Sequence, residues 1–308
     1  MHLKRIPILL IALCLCLPVM VMATPQGQEK KANSIDELAK MYDVSSCKMC
    51  HEKIYNEWSK SLHARSIYGP ETSGRTAATF KTTIINGLME WPYSGVKRPE
   101  DVKVEHLMVC AKCHLPQLKD ATDKVAQEIV KNIYAFTAGD EKAAEQLEKL
   151  NINCLVCHNR NAIIHKWTDG YPQKDAVYGS KEGTHPSPLH TKLKKGPVQK
   201  ESILCGQCHG LGPNFELENP SQCATLYGTY LWAYIAEGGQ ERCQDCHMKK
   251  SGLGHNMQSY RAKEMQKLAV DFHVEVLPHW WRDGIKMIPQ ATVKVEIKNK
   301  AGHAIPDG

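Results

Sequence analysis

Five copies of one short motif constrain this chain more than any other feature. They read Cys47-Lys-Met-Cys50-His51, Cys110-Ala-Lys-Cys113-His114, Cys154-Leu-Val-Cys157-His158, Cys205-Gly-Gln-Cys208-His209 and Cys243-Gln-Asp-Cys246-His247. Chance would supply roughly 0.03 copies in a chain of this composition. Residues i and i+3 share one side of a helical turn, so both thiols of a motif face the same way. Two thiols so placed can form thioethers with the two vinyl groups of one porphyrin, and the adjacent His then reaches the iron. C-x-x-C-H is accordingly the attachment signature of c-type haem. Zinc also uses C-x-x-C units, but without requiring His at the fifth position every time. A dithiol redox motif needs only one or two copies. The expected cofactor is therefore haem c, five copies, covalently attached. Cys47, Cys50, Cys110, Cys113, Cys154, Cys157, Cys205, Cys208, Cys243 and Cys246 would hold the rings, with His51, His114, His158, His209 and His247 as proximal ligands.

The N-terminus reads as a targeting segment. Lys4 and Arg5 precede an apolar run from Ile6 to about Met22, and Val21-Met22-Ala23 fits a small-residue cleavage site. The run contains Pro7 and Pro18 and is marginal for a membrane span, which needs roughly 20 apolar residues. Residues 1–23 are expected to be a signal peptide, with an uncleaved anchor as the alternative. Of the 13 cysteines, Cys14 and Cys16 lie in this run and read as apolar filler. Cys223 is left over, and reads as a small buried apolar residue.

Composition is otherwise that of a folded soluble protein, 42% hydrophobic and 23% charged, but only 7% aromatic. Five rings would leave roughly 57 residues for each, too few to wrap every ring in a private core. The rings must share walls and act as core material themselves. The net charge of +6 is too weak a bias to suggest nucleic acid.

The histidines beyond the motifs decide between a wire and an enzyme. His63, His106, His165, His185, His190, His255, His273, His279 and His303 remain outside the leader. Five would make every iron six-coordinate, so supply exceeds demand. A saturated iron suits electron transfer, whereas a five-coordinate iron is a catalytic candidate, and the count permits either. His63 and His255 are the first choices for distal ligands, then His190 and His106, then His185 and His165. A surface or hydrogen-bonded role is the alternative for each.

Ser34-Ile-Asp-Glu37 is a capping box that opens a helix to about Tyr42. A helix is expected from Cys47 to about Ser66, a loop-rich stretch over 67–100, and helices over Asp120 to Phe136 and Asp140 to Leu150. Val125, Ile129, Val130 and Ile133 would share one apolar face. Residues 166–200 read as a long polar loop, with Lys192, Lys194 and Lys195 on a solvated face. Residues 222–237 read as an aromatic helix that packs on haem. Residues 291–298 alternate with period two and predict a strand. A lone strand is unstable. It would pair with residues 268–276, or the chain stops inside a β module that a longer chain would complete. The second is preferred. The expected division is a signal peptide over 1–23, a pentahaem domain over 24–270 and a β segment over 271–308.

The stretch from Cys47 to Ala64, with Trp58 and His63, resembles the first haem segment of multihaem cytochromes related to hydroxylamine oxidoreductase. It is also similar to that enzyme's tetrahaem electron-accepting cytochrome. Cys205 to Phe215 resembles a later segment of the same group. Gly302-His303 through Gly308 resembles a turn beside a β module in some relatives, with Asp307 where Thr is usual. The resemblance implies a mainly α multihaem fold with long loops, closely stacked haem pairs as core, and here a short C-terminal β segment. It also implies a distal-ligand role for His63. The chain departs from the tetrahaem relative by one haem and from the eight-haem enzyme by three. Pentahaem nitrite reductases bind the catalytic haem through C-x-x-C-K, and all five motifs here end in His, which argues against nitrite reduction.

The function expected is that of an exported pentahaem c-type cytochrome, periplasmic or at the cell surface. It would carry electrons between redox proteins in an anaerobic-type respiratory chain through bis-His haems. The alternatives are a haem enzyme acting on a small nitrogen or sulfur oxyanion at a five-coordinate haem, and a filament-forming conductive cytochrome. No nucleic acid and no stable membrane insertion are expected unless the leader stays uncleaved, and an oligomer is compatible with the sequence.

Overall fold

A computed structural model describes residues 31–69, 75–159, 175–210, 225–258 and 261–305. The leader, His165, Cys223 and the tail from Pro306 lie outside the described residues. The chain is mainly α-helical with a C-terminal pair of strands, in line with the expected fold class. The helices are α1 (Ile35–Met41), α2 (Ser45–Trp58), α3 (Arg75–Thr79), α4 (Gly87–Glu90), α5 (Val104–His114), α6 (Asp123–Thr137), α7 (Glu141–Glu148), α8 (Cys154–His158), α9 (Ile203–Gly206), α10 (Leu226–Tyr230) and α11 (Lys263–Ala269).

The N-terminal half holds an aliphatic core. On α6 the predicted stripe of Val125, Ile129, Val130 and Ile133 is buried, and Leu147 of α7 and Ile35 and Leu38 of α1 are buried in the same cluster as the stripe. Ser34 caps α1 by accepting the Glu37 N–H at 3.1 Å. The Glu37 carboxylate closes the turn on the Asn33 N–H at 2.8 Å, one residue earlier than a capping box requires.

Two expectations for this half are corrected. Residues 67–100 are not simply loop: α3, a wide π-helical stretch Phe80–Asn86 and α4 make one helical run up to Glu90. Ala77, Phe80, Ile84, Ile85 and Leu88 are its buried face, a helical spacing that the flanking Gly69-Pro70 and Trp91-Pro92 obscured. The run ends at Trp91, extended at φ −83, ψ 112, as expected for a residue before proline. The second correction concerns α2, which stops at Trp58 rather than near Ser66, so His63 opens a separate short turn, His63–Arg65. Trp58 is buried, and its Nε1–H donates to the Ile152 carbonyl at 2.8 Å.

The polar stretch expected to be a loop contains a small sheet over its described part. Strands β1 (Ala176–Gly179), β2 (Gly183–Thr184) and β3 (Lys192–Lys195) lie in the order β1-β3-β2, with β1 and β3 parallel. Lys192 pairs with Asp175 at 2.8 Å. The aromatic segment is helical as predicted over α10 and the wide turn Leu231–Ile235, and Tyr227, Tyr230 and Tyr234 stack in sequence.

The C-terminal strands are longer than the sequence pattern predicts. Strands β4 (Val270–Asp283) and β5 (Lys286–Asn299) form an antiparallel hairpin from Val270↔Asn299 to Asp283↔Lys286. Gly284 turns the chain at φ +58, a conformation that costs other L-residues about 1 kcal/mol or more. Alternation gives the ribbon two unlike faces. One carries Phe272 opposite Ile297, Val274 opposite Val295, Val276 opposite Val293 and Trp280 opposite Pro289. The other pairs Asp271 with Lys298 and Glu275 with Lys294.

Candidate functional site

Each motif sits on a helical turn, where residues i and i+3 share one side. The first lies in α2, where His51 leaves helical geometry at φ −120, ψ 39. The second ends α5, and the chain turns away at Leu115, φ −155, ψ 62. The third is α8, capped by Asn153, which accepts the Leu155 N–H at 3.1 Å and donates to the Tyr42 carbonyl at 2.9 Å. The fourth runs out of α9, with the His209 N–H donating to the Cys205 carbonyl at 2.9 Å. The fifth leads into the wide turn Asp245–Lys250.

Folding brings the motifs together through their thiols. Cys47 hydrogen-bonds Cys154, Cys113 bonds Cys208, and Cys205 bonds Cys243. Cys157 lies close enough to Cys205 and Cys208 to act on both electrostatically. The first motif thus adjoins the third, the third adjoins the fourth, and the second and fifth both adjoin the fourth. None of the ten motif cysteines forms a disulfide. In each thiol pair the contact pulls one sulfur down and pushes its partner up: Cys47 falls while Cys154 rises, and Cys243 falls while Cys205 rises. Burial pushes the Cys157 thiol up to about 11.

Three pairs of histidine rings lie close together, two near-parallel and one edge-on. Ring centres are 6.3 Å apart for His51 and His185, 6.1 Å for His63 and His209, and 6.2 Å for His247 and His303. Two imidazoles on opposite sides of one metal ion place their ring centres about 6 Å apart, from two bonds of roughly 2 Å and two ring radii of roughly 1 Å. Each observed pair joins one motif histidine to one distant in sequence. His158 Nδ1 lies 2.8 Å from the Tyr178 carbonyl, and His185 Nδ1 lies 2.9 Å from the His190 carbonyl. The His158 contact holds its ring in one orientation and leaves Nε2 for a metal, while His185 Nδ1 also lies 3.3 Å from the Ser187 backbone nitrogen.

The remaining candidates fall out differently. His255 is drawn to α2, its N–H donating to Glu57 Oε2 at 2.9 Å and its Nδ1 lying 3.8 Å from the same oxygen. It is near enough to His158 and His51 for both to depress its pKa, after burial. His106 caps its own helix: Nδ1 accepts the Lys103 N–H at 3.0 Å. That contact commits Nδ1 to the backbone of its own helix. His190 lies in the loop that carries His185, and its carbonyl holds the His185 ring. Sequence reasoning did not rank His303, although the Gly302-His303 turn was visible. The phenyl ring of Phe80 lies beside His114 at 6.3 Å between centres and nearly perpendicular to it.

Burial pushes His63 down to about 4, with His209 and His114 adding to the effect. His114, His158 and His247 are also lowered, chiefly by burial. These imidazoles are neutral at physiological pH, the form that binds metal.

The donor set fits haem. Two thiols on one side of a turn, an adjacent His and a second His about 6 Å beyond it are what a covalently held, axially ligated porphyrin requires. Core composition agrees. After residue 159 the buried apolar side chains among the described residues are Ala176, Tyr178, Tyr230 and Met265. Segments so poor in aliphatic core need other apolar material to fold. Among the described residues no three His, Cys, Asp or Glu side chains converge as a bare ion would need, and no helix is long and apolar enough to cross a membrane.

Residues 46–159 match the family model described as cytochrome c554 and c-prime. The matched stretch contains the first three motifs and His63. It supports a c-type cytochrome with covalently bound haem c, acting in electron transport with redox partners. No curated protein and no solved structure matches the chain.

Proposed function

We propose that this chain is an exported five-haem c-type cytochrome that passes electrons between redox proteins. The observation that carries the reading is the set of histidine ring pairs with centres 6.1 to 6.3 Å apart, each joining a motif histidine to a remote one. The ten motif cysteines would hold the rings. His51 with His185, His209 with His63, and His158 with His255 would supply axial nitrogens at the first, fourth and third motifs. Haem bound there supplies a reversible ferric–ferrous couple.

The protein's own work is positioning. The Tyr178 carbonyl keeps His158 in one tautomer and strengthens its other nitrogen as a donor. Glu57 ties the His255 loop to α2. Thiol contacts run from the first motif to the third, and meet at the fourth with the second and fifth. That adjacency supports short electron hops along the series. Cys50 is exposed and Met49 is 85% exposed, so the first motif offers an edge to a partner. The resemblance to the electron acceptor of hydroxylamine oxidoreductase favours partners from a respiratory chain, with the protein periplasmic or at the cell surface.

The test is mass spectrometry together with electron paramagnetic resonance of the oxidised protein. Five haems and mainly low-spin iron are expected. A mass equal to that of the bare chain, or high-spin iron throughout, would overturn the reading.

A second reading attaches to the second motif. Phe80 carries no ligating atom and its ring stands 6.3 Å from that of His114. An iron held there by Cys110, Cys113 and His114 would be five-coordinate and open to a small molecule, as a haem enzyme needs. Cyanide binding by one haem in five would favour it.

A further inference from the structure

We infer that His303 is the second axial ligand at the fifth motif, so that an axial bond fastens the C-terminal hairpin to the haem region. The inference rests on the reading that Cys243, Cys246 and His247 hold a haem. The rings of His247 and His303 lie 6.2 Å apart and within 13° of parallel. One nitrogen of the His247 ring is occupied by the Gln258 carbonyl. His303 Nδ1 lies 2.9 Å from the Ala304 carbonyl. As donor in that contact, Nδ1 leaves the Nε2 lone pair uncommitted. Each ring therefore keeps one nitrogen for a shared metal.

The turn that delivers His303 is built for the purpose. Asn299 Oδ1 accepts the Ala301 N–H at 2.8 Å, and Asn299 Nδ2 donates to the His303 carbonyl at 2.9 Å. Gly302 adopts φ +73, and a Cβ there would sit 3.0 Å from Tyr234 Cδ2. The Ala304 N–H donates to Thr229 Oγ1 at 3.2 Å. Tyr234 in turn donates to Glu241 Oε2 at 3.2 Å, two residues before Cys243. The tail, the aromatic helix and the fifth motif are one packed unit. His255, nearer to His247 in sequence, is instead held on α2 by Glu57.

The consequence for the fold is direct. Strands β4 and β5 expose most of their side chains, and a two-stranded hairpin is at best marginally stable alone. A bond from His303 to iron closes its base, where Lys300 N–H already donates to the Ala269 carbonyl at 2.7 Å.

The experiment uses the full holoprotein with His303→Ala. Haem content should stay at five, one low-spin signal should become high-spin, and added imidazole should restore it. Limited proteolysis within 270–299 should quicken by several-fold. An unchanged spin count with five haems present would overturn the inference. Should the alanine variant not accumulate, His303→Met serves: a thioether-to-iron absorption band is expected, and its absence from a five-haem product counts against the assignment. The underlying reading is tested separately by the mass of the unmutated protein, since only four attached haems, with Cys243 and Cys246 free, would remove the fifth site itself.

Discussion

His63 and His209 lie with ring centres 6.1 Å apart and planes 67° apart, although one follows the first motif and the other ends the fourth. His63 opens a short turn after α2. The Ile152 N–H donates to the His63 carbonyl at 2.9 Å and fixes that turn. The contact brings a residue just past the first motif against the histidine of the fourth.

Replacing that imidazole by a thioether should change the electrochemistry of one haem. His63→Met is expected to raise one midpoint potential by on the order of 0.1 V, because thioether sulfur favours ferrous iron. Protein-film voltammetry reads this directly. A titration superimposable on that of the unmutated protein would show that residue 63 is not on iron.

Trp58 packs in the core and bonds the chain just before the third motif. Trp58→Phe removes the donor and should cost about 1 kcal/mol. Trp58→Ala adds a cavity and should cost about 3–5 kcal/mol. Thermal unfolding followed by circular dichroism measures both, and equal losses for the two variants would contradict a hydrogen-bonded, packed ring.

Phe80 is the residue to change at the second motif. Phe80→His puts an imidazole where a phenyl ring lies beside His114. If the iron there is five-coordinate, its high-spin signal should become low-spin and cyanide binding should fall at least tenfold. Retention of both the signal and the affinity in the variant would separate Phe80 from the iron's open side.

Glu57 holds the loop that carries His255. Glu57→Ala should broaden or shift one low-spin resonance and leave the haem content at five. Glu57→Gln keeps an acceptor oxygen for the His255 N–H and should move the resonance less. Identical effects of the two would point to charge rather than the backbone bond.

The hairpin turn gives a purely structural check. Gly284 lies at φ +58, so Gly284→Val should destabilise the hairpin by about 1–2 kcal/mol. Hydrogen exchange of strand amides would detect it as faster opening near Asp283 and Lys286. Protection equal to that of the unmutated protein would argue against this turn geometry.

Much of this was legible from residues alone, and the reason is locality. A C-x-x-C-H motif completes its chemistry within five residues, so thioether positions and proximal ligands need no knowledge of the fold. The stripe on α6 and the alternation over 291–298 were equally readable, because each pattern belongs to one element. The helix over Arg75–Glu90 was passed over because its flanking Gly-Pro and Trp-Pro pairs outweighed Ala77, Phe80, Ile84 and Leu88. His106 stands one turn before Cys110 in the sequence, and only the fold shows that its Nδ1 accepts the Lys103 N–H.

The sequence singles out His63 and His255 as candidate distal ligands but does not say which motif histidine each one meets. His185, His209 and His303 find their opposites only when loops and strands far apart in the chain converge. Nothing in local spacing distinguishes His255, bound to Glu57, from His303, opposed to His247. Covalent attachment is short-range chemistry written into contiguous residues. Axial pairing and the order of the centres depend on which surfaces pack together, and that is settled only by the tertiary balance of burial, caps and turns.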